Sequence, residues 1–324
     1  MLERKCSNVM LIQMGDADTK YLEGRSHRVY PPMILLKLFS GQTNYTWLPL
    51  STRTVSRVSV KVVLVTGASS GIGQATASLL ADRGFKVYGT SRKPRSSEAD
   101  GYEMLQLDVT SDESVNACVQ TLMKQEGRLD VLVNNAGYGL FGAVEETSVQ
   151  EAKALFEANF FGVVRMVRAA LPTMRQQKRG QIINVGSFAG FFGNPFEAYY
   201  SASKFALEGY TEALRHEVKR LNIRVSIVEP YYFKTNIVNT STQCQESLDC
   251  YREARQRVGQ SYKEHIEKGS DPRIVAEAIL GIVNSESPRL RYTVGKGKWD
   301  IQLKHVFPES MVENGARRTY GIDG

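Results

Sequence analysis

At 324 residues, 42% hydrophobic and 23% charged, the chain has the composition of a globular protein with ample apolar material for a core. Its net charge of +7 is unevenly spread: residues 1–60 carry eight Lys/Arg against four Asp/Glu, and no basic run or basic–aromatic stripe follows, which argues against nucleic-acid binding. Four scattered cysteines exclude a disulfide scaffold, no His stands near Cys244 or Cys250 to complete a zinc set, and no apolar run approaches the ~18 residues that span a bilayer, so the expectation is a cytoplasmic protein without a metal or an integral membrane segment.

Residues 1–57 show no sustained period and contain Pro31-Pro32. They read as an irregular or disordered extension, with a downstream translation start as an alternative. From residue 58 strands and helices alternate, and residues 58–324 read as one domain. Val58–Thr66 is a β-branched run suited to a parallel strand buried on both faces. An apolar-periodic helix ends near Gly84, followed by strands at Phe85–Thr90 and Glu103–Leu107. Thr110 to Glu113 has the pattern of a capping box for a helix reaching about Glu126, and Cys118 falls on its apolar stripe. Strands at Asp130–Asn134, Gln181–Gly186, Ile223–Val228 and Arg291–Val294 alternate with helices at about 148–159, 161–177 and 199–220, and with one beginning at Ser270-Asp271-Pro272. Such alternation specifies a doubly wound α/β fold, a parallel sheet with helices on both faces.

Two segments carry chemistry on physical grounds. Thr66-Gly67-Ala68-Ser69-Ser70-Gly71-Ile72-Gly73 lies between the first strand and the first helix. Exposed amides and the positive helix end there suit a dinucleotide phosphate, and the glycines let backbone approach it. At the end of the second strand the chain reads Ser91-Arg92-Lys93-Pro94-Arg95, with no acid until Glu98. An NAD site needs a carboxylate there and an NADP site a cation, so Arg92, with the Ser91 hydroxyl, argues for NADP(H).

Tyr200 and Lys204 share one helix face one turn apart. At ~4–5 Å and an effective dielectric of ~20, an ammonium would lower a phenol pKa by roughly 2–3, towards the range useful for proton transfer. Alone, such a pair is more often a surface pair, a serine at a strand end a turn former, and Asn159 a helix break. The ordered set Thr-Gly-x-x-x-Gly-x-Gly, Asp108, Asn134-Asn135-Ala136-Gly137, Asn159, Ser187, Tyr200-x-x-x-Lys204, Pro230 and Thr235 resembles the short-chain dehydrogenase/reductase family over about residues 58–240. The resemblance implies a Rossmann-type sheet of seven strands in the order 3-2-1-4-5-6-7 and a nicotinamide cofactor. It implies Asp108 and Val109 at the adenine, Asn135-Ala136-Gly137 at the adenosine ribose and Thr235 at the carboxamide. It further implies a tetrad in which Tyr200 donates a proton to the carbonyl oxygen that Ser187 holds. Lys204 would lower the Tyr200 pKa and bind the nicotinamide ribose, and Asn159 would fix a relaying water. One departure is Tyr231 after Pro230, where the family has Gly and a side chain tolerates positive φ poorly.

The loops expected around the pocket are aromatic: Tyr138, Phe141, Phe188, Phe191, Phe192, Phe196, Tyr231, Tyr232 and Phe233, about half of them assigned to packing. With a substrate loop at about 231–267, whose polar part 236–267 is partly helical in pattern and suits a lid, they suggest a lipophilic carbonyl or alcohol: a steroid, retinoid or long-chain ketone. Alternatives are a 3-oxoacyl thioester reductase and a non-catalytic NADP(H)-sensing protein. The resemblance also implies a homodimer or homotetramer.

Overall fold

The computed structural model describes residues 60–94, 101–235, 241–296 and 308–322, together with the backbone of two short strands at 33–37 and 45–49. Seven parallel strands form the central sheet: β1 (Val62–Val65), β2 (Lys86–Ser91), β3 (Glu103–Gln106), β4 (Val131–Asn134), β5 (Gly180–Val185), β6 (Ile223–Pro230) and β7 (Arg291–Val294). Their spatial order is 3-2-1-4-5-6-7, as expected for this fold class. The helices are α1 (Gly71–Asp82), α2 (Asp112–Glu126), α3 (Val149–Phe156), α4 (Gly162–Gln176), α5 (Ala198–Val218), α6 (Arg252–Glu267), α7 (Arg273–Asn284) and α8 (Glu309–Tyr320).

Each central strand is apolar on both faces because both are covered. Val62 and Leu64 of β1, with Leu132 of β4 and Ile182 of β5, pack against α2, α4 and α5 through Leu122, Met166 and Leu207. The alternate residues Val63, Val65, Val131 and Ile183 pack against α1 and α7 through Leu80, Ile279 and Val283. Successive strand residues thus feed two cores of one layered body. The order of connection reverses between β1 and β4, and a cleft opens beyond the carboxyl ends of the strands at that point.

Local chemistry shifts several boundaries. The α2 cap is Ser111, whose Oγ accepts from Ser114 N at 3.1 Å, while Thr110 is taken by the Asp108 carboxylate. Between α3 and α4 the helix does not break: Glu157–Phe161 forms a π-turn that carries Asn159. Three elements were not expected. Leu140–Phe141 pairs in parallel with Thr242–Gln243, and α8 follows the sheet. Within the unit Met1–Ser59, Met33–Lys37 pairs antiparallel with Tyr45–Pro49, so that segment contains regular structure. Cys6, Arg95 and Glu98 lie outside the described residues.

Helix α6 is tied to the body by a buried ion pair. Glu146 is 0% exposed and accepts from the amides of Ala143 (3.1 Å) and Leu248 (2.8 Å) and from the Arg255 guanidinium. Removing one partner of such a pair leaves an uncompensated charge, at a cost of about 3–5 kcal/mol. Arg255→Ala is expected to lower unfolding stability by about that amount in urea titration, and adding Glu146→Gln to recover part of the loss. Equal midpoints for the native chain and Arg255→Ala would contradict this role.

Candidate active site

The turn after β1 is shaped by its contact with the turn after β4. Thr66 Oγ1 accepts from the amides of Asn135 (2.9 Å) and Ala136 (3.0 Å), and Asn135 Nδ2 donates to the carbonyls of Thr66 (3.0 Å) and Gly67 (3.1 Å). Gly67 has φ +67°, and a Cβ on it would lie 2.9 Å from Ala136 Cα. A Cβ on Gly73 would lie 2.2 Å from the Gly67 carbonyl oxygen, so only glycine permits this approach. Ser70 caps α1 without a side-chain hydrogen bond, and the first turn holds no acid, whereas Ser111 and Ser148 cap α2 and α3. The first amides of α1 are therefore left for an anion, and the cradle fits the phosphates of a dinucleotide. Gly67, Ser69, Gly71 and Ile72 line a cleft of about 710 Å³, while Thr66 and Gly73 shape the turn from behind it.

The same cleft runs along the ends of β2 and β3 past Ser91, Arg92, Asp108 and Val109, and along the β4 turn past Asn135, Ala136 and Gly137. The Asp108 carboxylate accepts from Thr110 N (2.9 Å) and Oγ1 (2.7 Å). Those bonds hold it below the usual carboxylate range, with Arg92 nearby acting in the same direction. Arg92 itself is exposed at the cleft wall.

Past the end of β5, Ser187 caps a short turn (Phe188–Gly190), its Oγ accepting from Ala189 N at 3.1 Å. Its hydroxyl lies near enough to the Tyr200 phenol on the first turn of α5 to favour the phenolate. Lys204 is 8% exposed, donates to the Val185 carbonyl at 3.0 Å and lies 5.7 Å from the Tyr200 ring centroid. Burial pulls Lys204 down to about 8, with Glu208 acting the other way. The Tyr200 phenol is pushed up, by burial first and by the Glu197 carboxyl second, against the Ser187 hydroxyl. The expected lowering of Tyr200 by Lys204 is therefore reversed in this state. Loss of water and the nearby Glu197 carboxyl outweigh the opposing effect of Ser187. Asn159 exchanges two hydrogen bonds with the backbone of Tyr138, Oδ1 accepting at 3.0 Å and Nδ2 donating at 2.9 Å. The π-turn places that amide under Gly137, and it reaches Ser203 rather than Lys204.

Pro230 ends β6, and the Tyr231 amide continues the ladder by donating to Val294 O at 2.9 Å. Tyr231 is not among the residues with positive φ, so the strain feared at this position does not arise. Its ring packs on Phe188 at 4.6 Å instead. Thr235 lies against Gly71 at the cleft wall. Of the aromatic set, Tyr138, Phe188, Tyr231, Tyr232 and Phe233 line the cleft. Phe141 and Phe196 pack with Val258 and Tyr320 beside it, and Phe191 and Phe192 pack around Phe188. Sequence reasoning missed Asn194, Glu197 and Tyr262, which also line the cleft. Glu197 was visible as the one acid between Phe191 and Tyr200, three residues before the tyrosine.

The family model described as short chain dehydrogenase matches residues 61–246. The chain is 40% identical to 3-ketodihydrosphingosine reductase of Bacteroides thetaiotaomicron over 270 residues, covering 81% of this chain and 98% of the relative. It is 37% identical to human retinol dehydrogenase 8, covering 71% and 80%. Among solved structures, a short-chain dehydrogenase from Streptomyces avermitilis superposes with a TM-score of 0.69 at 34% identity, covering 82% and 98%. A nicotinamide-dinucleotide cradle, a seven-stranded sheet of this order and these matches together place the chain in the short-chain dehydrogenase/reductase family of oxidoreductases, enzymes acting between an alcohol and a carbonyl.

Proposed function

We propose that the enzyme uses NADP(H) to interconvert a carbonyl and a primary or secondary alcohol on a lipophilic substrate, a steroid, retinoid or long-chain ketone. The observation that carries the reading is the convergence of Ser187, Tyr200 and Lys204 at the aromatic end of the cleft. Bound there, the nicotinamide supplies or accepts the hydride. Ser187 Oγ and the Tyr200 phenol together offer two donors to one substrate oxygen, and Tyr200 passes its proton to that oxygen in the reductive direction. Lys204, anchored by the Val185 carbonyl, presents its charge beside the phenol. Asn159 and the Tyr138 backbone it holds shape the floor. Phe188, Tyr231, Tyr232 and Tyr262 exclude water from the reacting oxygen. Arg92 and Ser91 support the NADP preference, being a cation and a hydroxyl where an acid would favour NAD. The two relatives are named for retinol and for 3-ketodihydrosphingosine, in accord with a lipid substrate. We further assign the enzyme to the cytoplasm, as a homodimer or homotetramer. The outward rings of Phe161 and Phe205, each 43% exposed at the start of α4 and on α5, support that assembly.

Three measurements test this. With a panel of lipid ketones, NADPH oxidation should exceed NADH oxidation, and Tyr200→Phe should lower kcat by ~10²–10⁴. Tight NADPH binding without turnover on any ketone would favour a sensing protein. Arg92→Ala should cut the NADPH-over-NADH ratio by about tenfold or more, since a charge-assisted phosphate contact contributes ~1.5–3 kcal/mol; an unchanged ratio removes Arg92 from the phosphate site. The third concerns stability without cofactor. Burial lowers Lys204 from 10.5 to about 8, so the ammonium costs the folded state fully below the lower value, and the cost fades between the two. Lys204→Met should therefore raise the Tm at neutral pH, narrow that gain as pH approaches 10.5, and abolish turnover.

A further inference from the structure

Five carboxyl groups are buried among the described residues: Asp130, Glu146, Glu197, Glu208 and Glu229. Four of them have an arginine. Arg128 meets Asp130 at 2.6 Å, Arg255 meets Glu146, and Arg291 lies 3.0 Å from Glu208 and 3.8 Å from Glu229. Among the described residues Glu197 has no cation partner, although it is only 4% exposed. Its Oε2 accepts from Asn194 Nδ2 at 3.0 Å, and among the described residues Oε1 accepts from no donor. Burial pushes this carboxyl up to about 7, with only the Asn194 hydrogen bond opposing. A buried carboxylate ordinarily requires a charge partner, and a missing one in a cleft points to a ligand that brings it.

The position says where that charge would sit. Glu197 is the cap residue of α5, one turn before Tyr200, and both line the cleft. Its field reaches the phenols of Tyr200, Tyr232 and Tyr262. The setting is fixed from behind: Asn194 N donates to Ser201 Oγ at 3.1 Å, and Glu197 N donates to Asn194 O at 3.2 Å. Residues three apart at a helix start have Cβ atoms about 5–6 Å apart. A substrate whose oxygen meets Tyr200 would then present to Glu197 a group two or three bonds from the carbonyl carbon.

We propose that Glu197 is a specificity-determining residue that receives a protonated amino group of the substrate, narrowing the lipophilic class to long-chain ketones and alcohols with an amine adjacent to the reacting carbon. The proposal rests on the reductase reading above. An ammonium supplies the missing positive charge and donors for Oε1, and the rings of Tyr232 and Tyr262 offer it π faces. A substrate hydroxyl could donate to Oε1 but would leave the charge uncompensated. Glu197 takes no part in the hydride or proton step and acts on which ketone is held.

The test compares a long-chain α-amino ketone with the same ketone lacking the amine, in the native enzyme, Glu197→Gln and Glu197→Asp, with NADPH. The native enzyme should prefer the amino ketone in kcat/KM. Glu197→Gln should cut the amino-over-plain ratio at least about tenfold, and Glu197→Asp, which keeps the charge, should retain part of it. A merely structural residue would lower both substrates alike and leave the ratio unmoved, which would overturn the proposal. Calorimetric titration of octylamine against octanol reads the same site without turnover. If no ketone reacts but Glu197→Gln still removes a preference for the amine, the reductase reading fails and the ammonium site stands. If ketones react and neither ratio nor amine preference changes in either variant, the ammonium site fails and the reductase reading stands.

Discussion

The turns at the ends of β1 and β4 are locked to each other by the Thr66 hydroxyl and the Asn135 amide, and the active cleft exists because of that lock. Four hydrogen bonds satisfy backbone groups that would otherwise be left unpaired where two parallel strands diverge. The same contact brings Ala136 against Gly67 so closely that a side chain there is excluded. Helices α1 and α7 cover one face of the sheet and α2, α4 and α5 the other. The crevice between the two sets is the only place in such a sheet where a helix start and several strand ends converge. The cofactor cradle follows from that convergence.

Electrostatics in the cleft is governed by burial more than by pairing. Tyr200 and Lys204 are moved in opposite directions, each towards its neutral form. Beneath them lies a second set of charges. Glu208, one helical turn after Lys204, shares Arg291 with Glu229, and one oxygen of each of these carboxyls has no hydrogen-bond partner among the described residues. Burial and Glu229 push Glu208 up to about 7. The charged form of Glu208 favours the ammonium form of Lys204, against the effect of burial.

Much of this was legible in the chain. The parallel sheet with helices on both faces follows from alternating β-branched runs and helical stretches, while the strand order was implied by the resemblance to the family. The cradle was legible because Gly67, Gly71 and Gly73 fall between a buried strand and a helix, and the four tetrad positions because the ordered set of motifs resembles the family. Boundaries were less so. The cap moved from Thr110 to Ser111 because the Asp108 carboxylate claims Thr110 first. The helix at Asn159 widened into a π-turn because that amide is committed to the Tyr138 backbone twenty-one residues earlier.

Periodicity and glycine spacing by themselves determined the layered sheet and the dinucleotide cradle, since each depends on neighbours within a helix turn or a strand, and the resemblance of the ordered motifs to the family supplied the candidate reacting groups. Tertiary structure alone decided the state of those groups. Tyr231 keeps an ordinary backbone because its amide finds Val294 on β7. Glu146 meets Arg255 across 109 positions of sequence, while Glu197, also buried, meets no arginine among the described residues. Burial and charge pairing arise between residues distant along the chain, and those two quantities set whether a phenol, an ammonium or a carboxyl carries its charge.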